Sequence, residues 1–189
     1  GRSVRPRCRE VSPLSPGGEG RGEGLTSMNL YLIGYRGSGK TSVAAEVGKL
    51  LDWPWLDADV EIERRAGKTI KQIFDTSGEP SFRDQEAAVI SDVAKLTSHV
   101  IALGGGAVLR EESRQAIRGS GKTVWLQASS AVLFQRISAD ASTAESRPNL
   151  TTAGGLEEVE RLLAVRSPIY TSRANLTVDG EHSAPAEST

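Results

Sequence analysis

Eight residues, Gly34-Tyr35-Arg36-Gly37-Ser38-Gly39-Lys40-Thr41, have the types and spacing to hold a polyphosphate. They fit the pattern G-x-x-x-x-G-K-[S/T], in which glycines let backbone close around anionic oxygens. An apolar run, Leu30-Tyr31-Leu32-Ile33, stands before them and a helical pattern, Ser42 to Leu51, stands after. In that setting the loop N–H groups form an anion nest, and the helix adds the positive end of its dipole. Lys40 is placed to reach the β- and γ-phosphates, and the Thr41 hydroxyl to ligate Mg²⁺. About 0.01 chance matches are expected in a chain of this length and composition, so glycine content alone does not explain the pattern. A second GSGKT run, Gly119 to Thr123, offers a contrast. Ala116 stands where the first glycine is needed, no strand precedes it, and a β-like run follows. It is predicted to be a turn feeding a strand.

The other candidate groups sit where an open parallel sheet gathers ligands, at the carboxyl ends of strands. Trp55-Leu56 reads as a short strand ending at Asp57-Ala58-Asp59. In extended chain the i, i+2 spacing points both carboxylates the same way, one toward a metal and one toward a substrate hydroxyl. Equally, Asp59 fits as the N-cap of a helix over Val60–Ala66. Helical patterns follow over Thr69–Thr76 and from Glu79 to about Leu96, separated at Ser77-Gly78. Arg83 and Glu86 lie at i, i+3, which an ordinary surface ion pair also explains. Val100-Ile101-Ala102-Leu103 is a fully apolar strand running into Gly104-Gly105-Gly106, where backbone can pack on a ligand. No carboxylate ends that strand. Leu109–Arg118 reads as helix, Thr123–Gln127 as strand, and Ser129–Ser138 as a helix carrying Arg136. From Ala139 to Gly155 periodicity stops, and this stretch, which holds Arg147, is predicted to be a mobile lid. A helix over Leu156–Ser167 carries Arg166 and is expected to end at Pro168. Asn175–Val178 is a last short strand, and residues 179–189 read as a loose tail. Five β segments alternating with helices predict an α/β fold: a three-layer α/β/α sandwich around a five-stranded parallel sheet.

Composition narrows the function classes. The 189 residues carry a net charge of −1, which argues against bulk nucleic-acid or anionic-membrane binding. No apolar run approaches the roughly 18 residues of a membrane span. Cys8 is the only cysteine, so no disulfide forms within the chain and a cytoplasmic setting is expected. With only His99 and His182, a zinc enzyme or a histidine triad is disfavoured. Residues 1–27 are rich in Arg, Gly, Ser and Pro and are expected to be a disordered extension, with Met28 as the natural start. Their three glutamates and many glycines suit a transit peptide poorly.

Taken together, these stretches resemble the shikimate kinase family of phosphate-loop kinases. The resemblance runs from about Met28 to Val178. It is carried by residues 34–41, Asp57-Ala58-Asp59, Ile70-Lys71-Gln72-Ile73-Phe74 with Gly78-Glu79, and Phe82-Arg83 with Glu86. Gly104-Gly105-Gly106-Ala107, Arg147-Pro148 and Arg166-Ser167-Pro168-Ile169-Tyr170 complete it. The resemblance implies transfer of a phosphoryl group from ATP to shikimate with Mg²⁺, giving ADP and shikimate 3-phosphate, by a monomeric enzyme with a kinase domain over 28–178 and a lid over 139–155. It implies that Gly37, Ser38, Gly39, Lys40, Thr41 and Ser42 bind ATP, with Arg136 packed against adenine. Asp59 would bond the shikimate hydroxyls, with Arg83 and Arg166 on the carboxylate beside Gly104, Gly105 and Gly106. Arg147 would arrive with the lid, Lys40, Asp59 and Arg147 would carry the chemistry, and Thr41 and Asp57 would hold Mg²⁺.

Three positions depart from the family pattern. Arg36 replaces a small or apolar loop residue, Ala102 replaces a hydroxyl that some relatives place near the metal, and no basic adenine partner follows Val178. Two other readings compete. One is a gluconate- or nucleotide-type kinase on the same fold, which the arginine pair with Asp59 disfavours. The other is a non-catalytic ATP-binding paralogue, which has no need of acceptor chemistry. A switch GTPase lacks support, because the chain has no N-K-x-D stretch.

Overall fold

The computed structural model describes residues 28–139 and 155–181. The expected N-terminal extension, the tail beyond 181 and all of the expected lid except its two end residues lie outside them.

Five strands form one parallel sheet: β1 (Asn29–Ile33), β2 (Trp55–Asp57), β3 (Val100–Ala102), β4 (Gly121–Gln127) and β5 (Leu176–Asp179). Their spatial order is β2-β3-β1-β4-β5. The helices are α1 (Lys40–Leu51), α2 (Ala58–Ala66), α3 (Ile70–Val93), α4 (Glu111–Ser120), α5 (Ser130–Ala139) and α6 (Gly155–Arg173). Strand alternation divides the core. Tyr31 and Ile33 point to one face, where they meet Ile62 of α2, Ile90 of α3, Ile117 of α4 and Tyr170 of α6. Leu32, Val100 and Ala102 point to the other face, against Ala44 of α1. The chain is thus the expected three-layer sandwich, with β1 and β3 buried on both sides. A third cluster, Tyr35, Leu133 and Val159, ties the phosphate loop to α5 and α6.

Asn29 staples β1 to its neighbours. Its Nδ2 donates to the Leu96 carbonyl at 2.7 Å, and its Oδ1 accepts from the His99 N–H at 3.1 Å. A buried side-chain amide is tolerable only when satisfied in this way. The sheet therefore starts at a defined register, and its carboxyl ends line up on one edge.

Several boundaries differ from the sequence expectation, each for a visible reason. Helix α2 begins at Ala58, because the Asp57 side chain caps it by accepting the Asp59 N–H at 2.9 Å. Asp57 is the N-cap, Asp59 lies in the first helical turn, and the extended i, i+2 geometry does not apply. The two helices around Gly78 are joined end to end as α3, with a break where Gly78 takes φ 77° and ψ 171°. The Thr69 hydroxyl and the Gln72 side chain form a capping box at its start. Helix α6 runs through Pro168 to Arg173 rather than ending there. Tyr170, fully buried beside Trp125, provides packing that offsets the hydrogen bond lost at the proline. Residues 179–181 are not a loose tail: Asp179 completes β5, and the Gly180 N–H donates to the Gln127 carbonyl at 2.7 Å.

The second GSGKT run contains no turn. Gly119 and Ser120 close α4, and Gly121 opens β4 opposite Asn29. A Cβ on Gly121 would strike the Asn29 carbonyl, so the glycine is required by space and not by phosphate binding. Gly121→Ala is expected to lower unfolding stability by about 1–3 kcal/mol through overpacking. A denaturant titration checks this: the midpoint should fall with an unchanged slope, and an unmoved midpoint would contradict the packing argument.

Candidate functional site

The phosphate loop joins β1 to α1. Gly37 and Gly39 take φ 82° and 86°, left-handed values that disfavour side chains, and Gly39 caps the first turn of α1. That turn carries no acidic residue, so its N–H groups present an uncompensated positive end. Lys40 Nζ donates to the Tyr35 carbonyl at 2.8 Å and lies 3.4 Å from Ser38 Oγ, folded back over its own loop. Thr41 Oγ1 donates to Asp57 Oδ2 at 2.5 Å. A hydroxyl and a carboxylate in contact at the mouth of a phosphate loop are hard oxygen donors of the kind Mg²⁺ takes from a protein while phosphates and water supply the rest. Among the described residues, no cluster of three or more His, Cys, Asp or Glu could hold a metal alone.

Beside the loop, at the carboxyl end of β3, lies a cavity of about 560 Å³, counting the space at its mouth that is open to solvent. Ile70, Phe74 and Phe82 make an apolar wall, and the two phenyl rings lie 4.9 Å apart. The remaining lining is polar: Tyr35, Arg36, Asp59, Arg83, Glu86, Glu158, Arg166 and the three glycines. The glycines are packed from both sides. A Cβ on Gly104 would stand 2.7 Å from Asp59 Oδ1, and one on Gly106 would overlap the Arg83 guanidinium. At Gly105 the neighbours are the Arg36 amide, the Gly34 carbonyl and Arg166 Nη1, each 3.5 Å from where a Cβ would sit. The triple glycine is therefore a junction between the phosphate loop, Asp59 and both arginines, not a floppy turn.

Arg83 is clamped. Its Nη1 donates to Glu86 Oε2 at 2.8 Å, and its Nη2 and Nε reach Glu79 Oε1 at 3.0 and 3.2 Å. Glu86 is 4% exposed. Burial pushes the Glu86 carboxyl above its ordinary value of 4.5, and the Arg83 guanidinium opposes that rise. Burial also opposes the charge on Arg83, but the two carboxylates outweigh it and raise its pKa. Arg166 is 7% exposed and stacks on the Tyr35 ring, 5.5 Å from its centroid. The Tyr170 hydroxyl donates to the Gly105 carbonyl at 2.5 Å, and burial pushes that hydroxyl up to about 12. Tyr170 thus stays protonated and holds the glycine junction in place.

The structure brings Asp59, Arg83, Arg166 and Gly104 to Gly106 together in one cavity, with Lys40, Thr41 and Asp57 at the neighbouring loop. Arg136 stands elsewhere: its Nη2 donates to the Gly180 and Glu181 carbonyls at 2.9 and 3.3 Å. Arg147 lies outside the described residues. The i, i+3 spacing of Glu86 from Arg83 fits an ordinary helix ion pair as well as a site role, and nothing in the sequence singles out Tyr35 or Glu158. Position 35 is unspecified in the phosphate-loop pattern, and burial of the Glu158 carboxylate depends on how α6 packs, which no local spacing encodes. The arrangement can bind a small carboxylated polyol and present one hydroxyl to a polyphosphate in the adjacent nest.

Comparison with known proteins gives the same reading. The family profile for shikimate kinase matches residues 36–189. A shikimate kinase of Rhodopirellula baltica (strain DSM 10527 / NCIMB 13988 / SH1) is 44% identical over 155 residues, covering 82% of this chain and 83% of the relative. One from Pseudomonas syringae pv. tomato is 40% identical, covering 83% and 89%. Among solved structures, a shikimate kinase from Acinetobacter baumannii in complex with shikimate superposes with a TM-score of 0.76 at 34% identity, covering 82% of this chain and 84% of that one. The chain belongs to the shikimate kinase family.

Proposed function

We propose that this chain transfers the γ-phosphoryl group of ATP to the 3-hydroxyl of shikimate, in the route to chorismate and the aromatic amino acids. The observation that carries the reading is the pairing, in one cavity, of a clamped Arg83 with Arg166 and Asp59, directly beside a phosphate loop. Arginine forks suit a carboxylate because they bind both oxygens. Arg83 and Arg166 bind the shikimate carboxylate, with Gly104, Gly105 and Gly106 giving it close backbone approach. Asp59 accepts hydrogen bonds from the ring hydroxyls and turns one oxygen toward the loop.

The loop residues Gly37, Ser38, Gly39, Lys40, Thr41 and Ser42 hold the nucleotide phosphates. In the transfer the acceptor oxygen forms a bond to the γ-phosphorus, the bond to the β-phosphate oxygen breaks, and the hydroxyl proton passes to Asp59. Lys40 stabilises the charge that spreads over the equatorial oxygens. Arg147 joins it from a closing lid over 139–155, which keeps water from taking the phosphoryl group. Thr41 and Asp57 hold Mg²⁺, which supplies charge neutralisation and orients the phosphates when bound. Arg136 borders the adenine. The kinase domain begins at Met28, runs at least through Asp179, the last residue of β5, and acts as a monomer. No helix among the described residues is long and apolar enough to cross a membrane, and the lone Cys8 suits a reducing cytoplasm.

Coupled ADP release with Mg²⁺-ATP tests the reaction against shikimate, gluconate, nucleoside monophosphates and no acceptor. Turnover is expected with shikimate alone, and Lys40→Ala should abolish it while preserving the fold. Turnover with gluconate or a nucleotide would transfer the assignment to another kinase type, and ATP binding without turnover would make the chain a binding module.

The Arg83–Glu86 pair also sets a pH dependence. Glu86 must be ionised to clamp Arg83, and burial holds its carboxyl above 4.5. As pH falls through that raised value Glu86 takes up a proton and Arg83 loses a partner. The acceptor kcat/KM is therefore expected to decline on the acid side above pH 4.5. Glu86→Gln should raise the acceptor KM by about tenfold and remove that acid limb. A variant whose profile keeps the limb would assign it to another group.

A further inference from the structure

The phosphate-loop pattern leaves its third position open, and here it is filled by arginine. Arg36 is half-buried and lines the acceptor cavity. Arg83 is fastened by Glu79 and Glu86. Arg36, in contrast, makes no hydrogen bond or ion pair among the described residues. Its amide and Arg166 Nη1 lie equally close to Gly105, 3.5 Å from where a Cβ would sit, so Arg36 starts at the seam between loop and cavity. Arg166 and Arg36 both pull the Tyr35 hydroxyl down against its burial, while Glu158 pushes it up, so the charges of all three bear on that hydroxyl.

We propose that Arg36 is a further acceptor-site residue that binds the phosphate newly placed on the acceptor, holding the phosphorylated product from the acceptor side of the loop. This rests on the functional reading above. A phosphoryl group crossing from the loop to a cavity hydroxyl must come to rest between the two, and Arg36 is the cation that belongs to the loop yet faces the cavity. Arg83 and Arg166 come from α3 and α6 and serve the carboxylate. An uncommitted guanidinium has five donors for phosphate oxygens and adds charge where the acceptor gains it. The cavity also holds three acids, Asp59, Glu86 and Glu158, so without Arg36 it would oppose a second anionic group more strongly.

Calorimetric titration of shikimate, shikimate 3-phosphate and Mg²⁺-ADP into the unsubstituted protein, Arg36→Met and Arg36→Lys tests this. Thermal melting first confirms that both variants fold. Arg36→Met is expected to weaken binding of shikimate 3-phosphate about tenfold, with shikimate and Mg²⁺-ADP changing by less than about threefold, and Arg36→Lys to recover most of the loss. Equal weakening of shikimate and its phosphate would place Arg36 on the carboxylate and overturn the proposal. Weakened ADP binding alone would place it on the nucleotide, and no change in any ligand would make it a bystander; each overturns the proposal too. If the unsubstituted protein bound neither shikimate nor its phosphate, the functional reading itself would fail and the inference with it.

Discussion

The acceptor side of this molecule depends on one buried ion pair, Arg83 with Glu86. Two charges taken out of water are costly, and removing Arg83 would leave the buried Glu86 without its bonded partner, at about 3–5 kcal/mol. In the proposed reaction the pair positions a guanidinium for the acceptor. Arg83 lies in the space that a side chain on Gly106 would fill, with its fork held by two carboxylates and its flat face 5.1 Å from the Phe82 centroid. The cation is thereby presented to the cavity in one orientation, so a carboxylate entering the site meets a donor whose rotamer freedom is already lost.

The sheet supplies the second constraint. Parallel order β2-β3-β1-β4-β5 brings the carboxyl ends of β1, β2 and β3 side by side. The phosphate loop, Asp57 with Asp59, and the triple glycine follow those three ends, so three sequence-distant stretches converge without long connections. They touch at the triple glycine, Asp59 against Gly104 and the phosphate loop against Gly105, whose carbonyl Tyr170 from α6 holds. Pro168 inside α6 is tolerated because that helix is anchored by Tyr170 and Arg166 at the junction itself. Local helix preference gives way to a tertiary contact that the site requires.

Most of the fold was legible in the sequence because its signals are local and periodic. The apolar run of β3, the glycine at the α3 break and the strand–loop–helix setting of Lys40 each state their own conformation. The phosphate loop was legible for the same reason, as its chemistry is written in consecutive residues. What escaped depended on packing between distant segments. Asp57, not Asp59, caps α2, because the strand ends one residue before the helix begins, a one-residue boundary that neither propensity nor spacing resolves. The second GSGKT run looked like a turn, and only the approach of the Asn29 carbonyl shows why a glycine opens β4. Glu86 looked like a surface partner for Arg83 until the cavity buried it. Arg36 was visible as an odd residue in the loop, but which way it faces is a property of the assembled site.

In the proposed function the cavity is a carboxylate receptor built before the substrate arrives. The most direct test is calorimetric titration of shikimate and of shikimate carboxamide, a neutral analogue of the same shape, into the nucleotide-free protein. Shikimate is expected to bind, and the carboxamide to bind at least about tenfold more weakly, because it offers Arg83 and Arg166 no charge. Equal affinity for the two would contradict this reading, and would mean that the clamped arginine serves the fold and not the substrate.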